Sequence, residues 1–205
     1  MESVARGGTR WKRFAVVMVP SVAATAAIGV ALSQGALAAS FSVSGQQFKV
    51  TADRLEGTGF VQYGALEKTK DGQKPVTVVG LDEAKIRGLC QSVVVPVPVF
   101  GDISMVINAG GEGSPMVEAK KLYIDADDLS TNATFNNIDI GVSVDDTTKG
   151  PGPAKGDDYL ASSFAQQASS VVFTDVKQRA WATTAGTFKL SGLKMQVKKG
   201  KHECY

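Results

Sequence analysis

The chain has 205 residues but only one histidine, His202, and two cysteines, Cys90 and Cys204. That scarcity removes whole classes of chemistry. A Ser-His-Asp triad would have to use His202, which sits beside Cys204 in a basic tail. No Gly-x-Ser-x-Gly elbow presents a serine nucleophile, since Gly113-Ser114-Pro115 lacks glycine two places to either side of the serine. A nucleophilic pair of Cys204 and His202 would place the thiolate next to the chain end, where little orients it. A His/Cys zinc cluster, a glycine-rich phosphate loop and a dinucleotide fingerprint are all missing, so no metal and no cofactor is expected. The acidic run Asp125-Ala-Asp127-Asp128-Leu-Ser130-Thr-Asn132 fails as a calcium loop. Ser130 and Asn136 stand where an EF-hand starting at Asp125 needs Gly and Glu. It reads as a solvated strand face ending in a turn. Neither Asp53 with Glu56 nor Asp139 with Asp145 has a spacing that separates it from ordinary surface charge.

Charge is also absent from one long stretch, Phe14 to Ala39, which follows Arg6, Arg10, Lys12 and Arg13. A basic start, an apolar run and the small-x-small exit Ala36-Leu37-Ala38 together read as an export signal. The run is long for a signal peptide: Phe14–Leu32 alone could span a bilayer, although Pro20, Ser21, Thr25 and Gly29 weaken it. Residues 1–38 are therefore a cleaved signal peptide or a retained N-terminal anchor. Both place residues 39–205 outside, extracellular or attached to the outer side of the cytoplasmic membrane, because the cations stay inside. There is no Arg-Arg pair for twin-arginine export, and no cysteine at the exit for a lipoprotein.

The leader holds four of the 22 basic and one of the 20 acidic residues, which leaves 18 against 19 in residues 39–205. A near-neutral domain excludes a nucleic-acid partner, which needs a basic excess. Its length suits one domain with a real core. In an oxidising compartment Cys90 and Cys204 pair in only one intramolecular way, against free thiols or pairing between molecules. Chain entropy would give such a long loop about 4–5 kcal/mol as an upper figure.

The period of residues 39–205 is that of strands. Phe41 and Val43, then Phe48, Val50 and Ala52, alternate with polar residues, as do Leu122 with Ile124 and Ile138 through Val144. Val171 with Phe173, and Phe188 through Leu193, Met195 and Val197, continue the pattern. One wet face per strand means antiparallel sheet. Asp71-Gly72, Gly110-Gly111, Gly113-Ser114-Pro115 and Asn136-Asn137 read as turns. The fold class is mainly β: a curved antiparallel sheet, as an open groove, a barrel or a sandwich.

Residues 41–50 and 188–197 share an aromatic, an aliphatic, Ser-Gly and a closing Val, which suggests two strands bent alike. Asp145 to Asp157 is the clearest loop. A short helix is expected over 158–169, with Asp157 or Asp158 as N-cap and Leu160, Phe164 and Ala168 on one face. Two prolines in Gln91–Phe100 exclude it from a central strand and suggest an extended edge or groove-lining segment.

Binding remains. Lys194, Lys198, Lys199 and Lys201 are candidates for a membrane surface, or guards of an edge strand. Phe41, Phe48, Val50, Phe60, Ile124, Phe135, Ile138, Phe173, Phe188 and Met195 would line a lipid-sized space, or fill an ordinary core.

Ala38-Ala-Ser-Phe-Ser-Val-Ser-Gly-Gln-Gln-Phe-Lys-Val-Thr-Ala-Asp-Arg-Leu-Glu-Gly57, Gly88-Leu-Cys-Gln-Ser92 and Phe135-Asn-Asn-Ile-Asp-Ile-Gly141 resemble a family of exported actinobacterial proteins. The resemblance spans nearly the whole chain and implies a protein of unknown function. Some members carry the label cholesterol esterase, which would imply Ser114 as nucleophile and His202 as base. The phrase Phe48-Lys-Val-Thr-Ala-Asp-Arg-Leu55 is similar, more weakly, to repeats of periplasmic lipopolysaccharide-transport proteins with groove-like β folds. The reading that follows is an exported non-enzymatic envelope domain. It would bind a lipid or other apolar ligand, or an envelope protein partner. A sterol or lipid ester hydrolase and a self-assembling surface protein are the alternatives, the latter joining through a free Val93–Phe100 edge.

Overall fold

A computed structural model describes residues 45–69 and 72–205. The leader, its export signal or anchor, and Phe41 lie outside the described residues. Seven antiparallel strands make up most of the rest: β1 Phe48–Thr69, β2 Gly72–Arg87, β3 Leu89–Val97, β4 Gly101–Ala109, β5 Val117–Ser143, β6 Phe164–Lys189 and β7 Lys194–Lys199. The mainly β, antiparallel reading holds. Among the described residues the one helical element is a single 3-10 turn, Val144–Asp146.

Register shows how the seven strands are organised. β2 and β3 follow β1 without a slip, from Thr69↔Gly72 through Arg54↔Arg87 to Phe48↔Val93. β5 and β4 run in turn beside β2 and β3, and β6 and β7 beside β5 and β4. The seven strands are thus one long strand and three pairs of strands. β6 also returns to β1, with Phe48↔Ala180 and Ala52↔Val176, so that β1, β2, β5 and β6 pair in a ring. β3, β4 and β7 extend past it.

The ring divides from this extension at a corner of glycines. The Gly88 amide donates to the Gly110 carbonyl at 2.9 Å, and the Gly110 amide to the Ser191 carbonyl at 2.8 Å. Gly88 has φ +66 and a Cβ there would stand 1.9 Å from Asp53 Oδ2, so a side chain at this position is strained and must displace Asp53. The alike segments near residues 45 and 192 also carry left-handed glycines, Gly45 and Gly192, but each bends the chain just before its strand rather than inside it.

The ring interior is filled. Phe60, Phe135 and Phe173 pack as a triad with ring centroids 5.1–6.2 Å apart. Leu55, Leu81, Leu122, Val117 and Val171 complete the cluster. A second cluster around Val61, Tyr63, Val78 and Val144 lies under the loop that joins β5 to β6. Polar groups pin that loop: Gln167 Oε1 accepts the amides of Thr148 and Lys149, and the Tyr63 hydroxyl accepts the Ala154 amide.

Three expectations are corrected. The helix over 158–169 does not form; residues 160–163 turn, and Phe164 already opens β6. The would-be caps are engaged elsewhere, Asp157 by the Tyr63 hydroxyl and Asp158 by Gln73. A short helix is marginal alone, whereas the β5 ladder gives this backbone partners along its length. Asn136-Asn137 is no turn but lies within β5, where the amides donate to Ser170 and Ser169. The acidic run does not end in a turn either, and Asp125 is buried.

Candidate functional site

Directly paired residues share a face, and the pairing therefore assigns both faces of the extension. On one face stand the rows Val50–Gln91–Ile107–Met195, Phe48–Val93–Met105–Val197 and Val95–Ile103–Lys199. Val50 belongs to the ring core, so the core face continues without interruption onto the extension. There it is left open. Met195 is 58 % exposed and Val197 67 %, with Met105 and Val95 each 39 %.

Where β6 runs on past its pairing with β1, the two faces leave a pocket of about 360 Å³, lined by Phe48, Gln91, Thr183, Ala185, Phe188 and Leu190. That volume falls within the range of small-molecule sites. Gln91 and Thr183 are the polar groups in an otherwise apolar lining.

The other face is covered by the C-terminal tail. Gly200 donates its amide to the Asp102 carbonyl, His202 to Ser104 Oγ at 2.8 Å, and Cys204 to Ser92 Oγ at 3.0 Å. Ser92 and Ser104 are fully buried beneath it. The Cys90–Cys204 disulfide fastens the strap. Tyr205 then lies over the ammonium groups of Lys49 and Lys177, and Lys49 also pairs with Glu203 at 3.2 Å. The tail therefore crosses β4, β3, β1 and β6 in turn.

The candidate ligand residues divide three ways. Val50, Phe60, Ile124 and Phe173 are buried core, and Phe135 and Ile138 pack against them. Phe48 and Phe188 line the pocket. Met195 stands on the open face. Gln91 opens the segment expected as an edge or groove lining and Leu190 stands in an alternating run, whereas Thr183 and Ala185 were not singled out by sequence. Only the register reveals that they converge.

The lysines also separate. Lys198 and Lys199 pair with Ser104 and Ile103 near the β3–β4 turn, and Lys201 lies 3.8 Å from Asp102. Lys194 is at the opposite end of β7, beside Asn108. The proline-rich segment is only half an edge. Leu89–Val93 lies beside β4, and Cys90–Val93 has β1 as a second neighbour; Val94–Val97, which holds Pro96, has β4 alone. The missing amide of Pro96 falls where no second ladder needs it. Among the described residues, β7 is the strand with a single neighbour along its whole length.

Ser114 and His202 are not brought together. Ser114 sits at the glycine corner, where its carbonyl accepts from Arg87. His202 lies at the other end of β4, its Nε2 3.1 Å from the Lys199 carbonyl and its amide on Ser104. The two are separated by most of the length of that strand.

A further group was missed by sequence. Asp125, Glu67 and Asp157 gather near Tyr63 and Tyr123 under the β5–β6 loop. Burial, then the negative Asp157 and Glu67, pushes the Asp125 carboxyl up to about 8. Burial likewise raises Glu67 and Asp157, and lifts the Tyr123 hydroxyl to about 12. The burial and the negative neighbours favour the protonated form of Asp125, whose side chain hydrogen-bonds Glu67. Among the described residues no group of carboxylates, histidines or cysteines is arranged to hold a metal ion.

Residues 44–205 match a family of unknown function, DUF6230. The chain belongs to this family. The match covers every strand of the DUF6230 fold, together with both cysteines and the strap. No curated protein and no solved structure matches the chain. Among the described residues no helix is long and apolar enough to cross a membrane.

Proposed function

We propose that this DUF6230 domain is an exported, non-enzymatic β-domain of the cell envelope that binds an apolar ligand, a lipid chain above all, in an open groove. The observation that carries the reading is the continuation of the core face into an uncovered apolar face with a pocket at the junction. Both straps, the β5–β6 loop and the C-terminal tail, cover outer faces of the sheet. The apolar face is the one left open. A fold that covers two faces with loops and leaves its most apolar one bare has a use for it, because exposed apolar patches of this kind mark binding sites.

Titration of the full chain with a fluorescent fatty acid tests this reading. Binding should saturate at one ligand per chain and should be lost in Ala185→Trp, whose side chain would occupy the pocket. Saturable binding of equal strength in Ala185→Trp would place the ligand elsewhere, and absence of binding to the parent chain would remove the ligand from the proposal.

A further inference from the structure

The β3–β4 hairpin ends in Val97-Pro-Val-Phe-Gly101, closed by a hydrogen bond from the Phe100 amide to the Val97 carbonyl at 3.2 Å. Val99 is fully exposed and Phe100 is 67 % exposed. Val99 also has φ +72, a conformation that β-branched residues avoid. That φ belongs to the hydrogen-bonded turn with Pro98 and Val99 at its centre, and the turn presents two large apolar side chains to the surroundings. Beside this tip stand Lys198, Lys199 and Lys201, all exposed, with Asp102 as the nearby carboxylate. Glu203, the next acid along the tail, is taken by Lys49. An apolar tip inside a cationic collar complements a bilayer whose surface is anionic and whose interior is apolar.

We infer that the tip Val97–Gly101 inserts into the headgroup region of an anionic phospholipid bilayer, with Lys198, Lys199 and Lys201 on the headgroups. The inference goes beyond ligand binding in the pocket and does not require the pocket to be filled.

The full-length Phe100→Trp variant tests it, with the parent chain supplying the background of Trp11 and Trp181. On phosphatidylcholine vesicles containing phosphatidylglycerol, the added emission should shift to the blue and be quenched by brominated lipid. On phosphatidylcholine alone, and after Lys198, Lys199 and Lys201 are changed to Gln, both effects should fall several-fold. Emission that stays at the solvent wavelength on anionic vesicles would overturn the inference. So would equal quenching on neutral and anionic vesicles, because the collar would then play no part. A blue shift without vesicles that grows with protein concentration would assign the tip to a second copy of the chain instead. The tip is exposed, so an unchanged unfolding temperature is expected and serves as the control for folding.

Discussion

Breaking the strap should destabilise the domain more than any single surface change. The Cys90–Cys204 bond spans 114 residues of sequence. On the chain-entropy account a loop of that length gives about 4–5 kcal/mol, because it restricts the unfolded ensemble. The tail's hydrogen bonds add to this if the tail lifts away. Ser92 and Ser104 would lose partners from Cys204, His202 and Gly200, each bond being about 0.5–1.5 kcal/mol net. The perturbation is Cys90→Ser with Cys204→Ser, which removes the covalent link and leaves the strand residues in place. Thermal unfolding followed by circular dichroism reads the result. A loss of about 4–5 kcal/mol corresponds to a fall of roughly 10–20 °C for a domain of this size. Ser104→Ala separates the two contributions: it keeps the disulfide and should lower stability by about 1–3 kcal/mol, since the Gly200 carbonyl and His202 amide lose their partner. A double cysteine variant that unfolds within about 1 kcal/mol of the parent would refute the reasoning. The tail would then neither restrict the unfolded chain nor hold the folded one.

Three further outcomes follow from the same geometry. Phe60→Ala should cost about 3–5 kcal/mol by chemical denaturation, since the ring contacts Phe135 and Phe173 inside a filled interior. A cost under about 1 kcal/mol would show that the ring interior collapses freely. Gly88→Ala should cost about 1–3 kcal/mol, because the left-handed φ and the 1.9 Å approach to Asp53 both oppose a side chain. Parent-like unfolding would contradict the corner. Asp125 is held at about 8, above its ordinary value near 4. Its contribution is thus whole below about pH 4 and is lost as pH rises through 8. Asp125→Asn should flatten that decline, matching the parent at low pH and exceeding it at pH 8. Stability curves that stay parallel across this range would show that Asp125 titrates normally.

Alternation was legible wherever a strand has one wet face. Phe48, Val50 and Ala52, or Ile124 beside Leu122, gave away their sheet because water on one side imposes a period of two. The disulfide was legible from arithmetic, since two cysteines allow a single internal pair. The 158–169 segment misled because its carboxylates and apolar residues fit a helix face. Its actual structure depends on β5, Tyr63 and Gln73, all distant in sequence. Asn136-Asn137 misled for a related reason: side-chain bonds to Ser170 and Ser169 satisfy within a strand what the pair would otherwise satisfy in a turn.

The site was harder to read than the fold. Hydrophobicity picks out Phe60 and Phe188 alike, yet one is core and the other lines the pocket. What separates them is that β6 continues after its ladder with β1 stops, and that follows from register rather than from residue type. Asp125 was read as solvated because its neighbours Asp127 and Asp128 are. Its burial comes from the β5–β6 loop, which brings in Asp157 from elsewhere in the sequence.

The central claim is that the open apolar face binds a lipid chain. Native mass spectrometry of the full chain purified from the cells that express it, with extraction of whatever is bound, tests it most directly. The account predicts one lipid-sized mass above the polypeptide, less two protons for the disulfide, and loss of that added mass in Ala185→Trp. An apo mass for the parent chain, from cells and buffers in which lipids survive on other proteins, would contradict it.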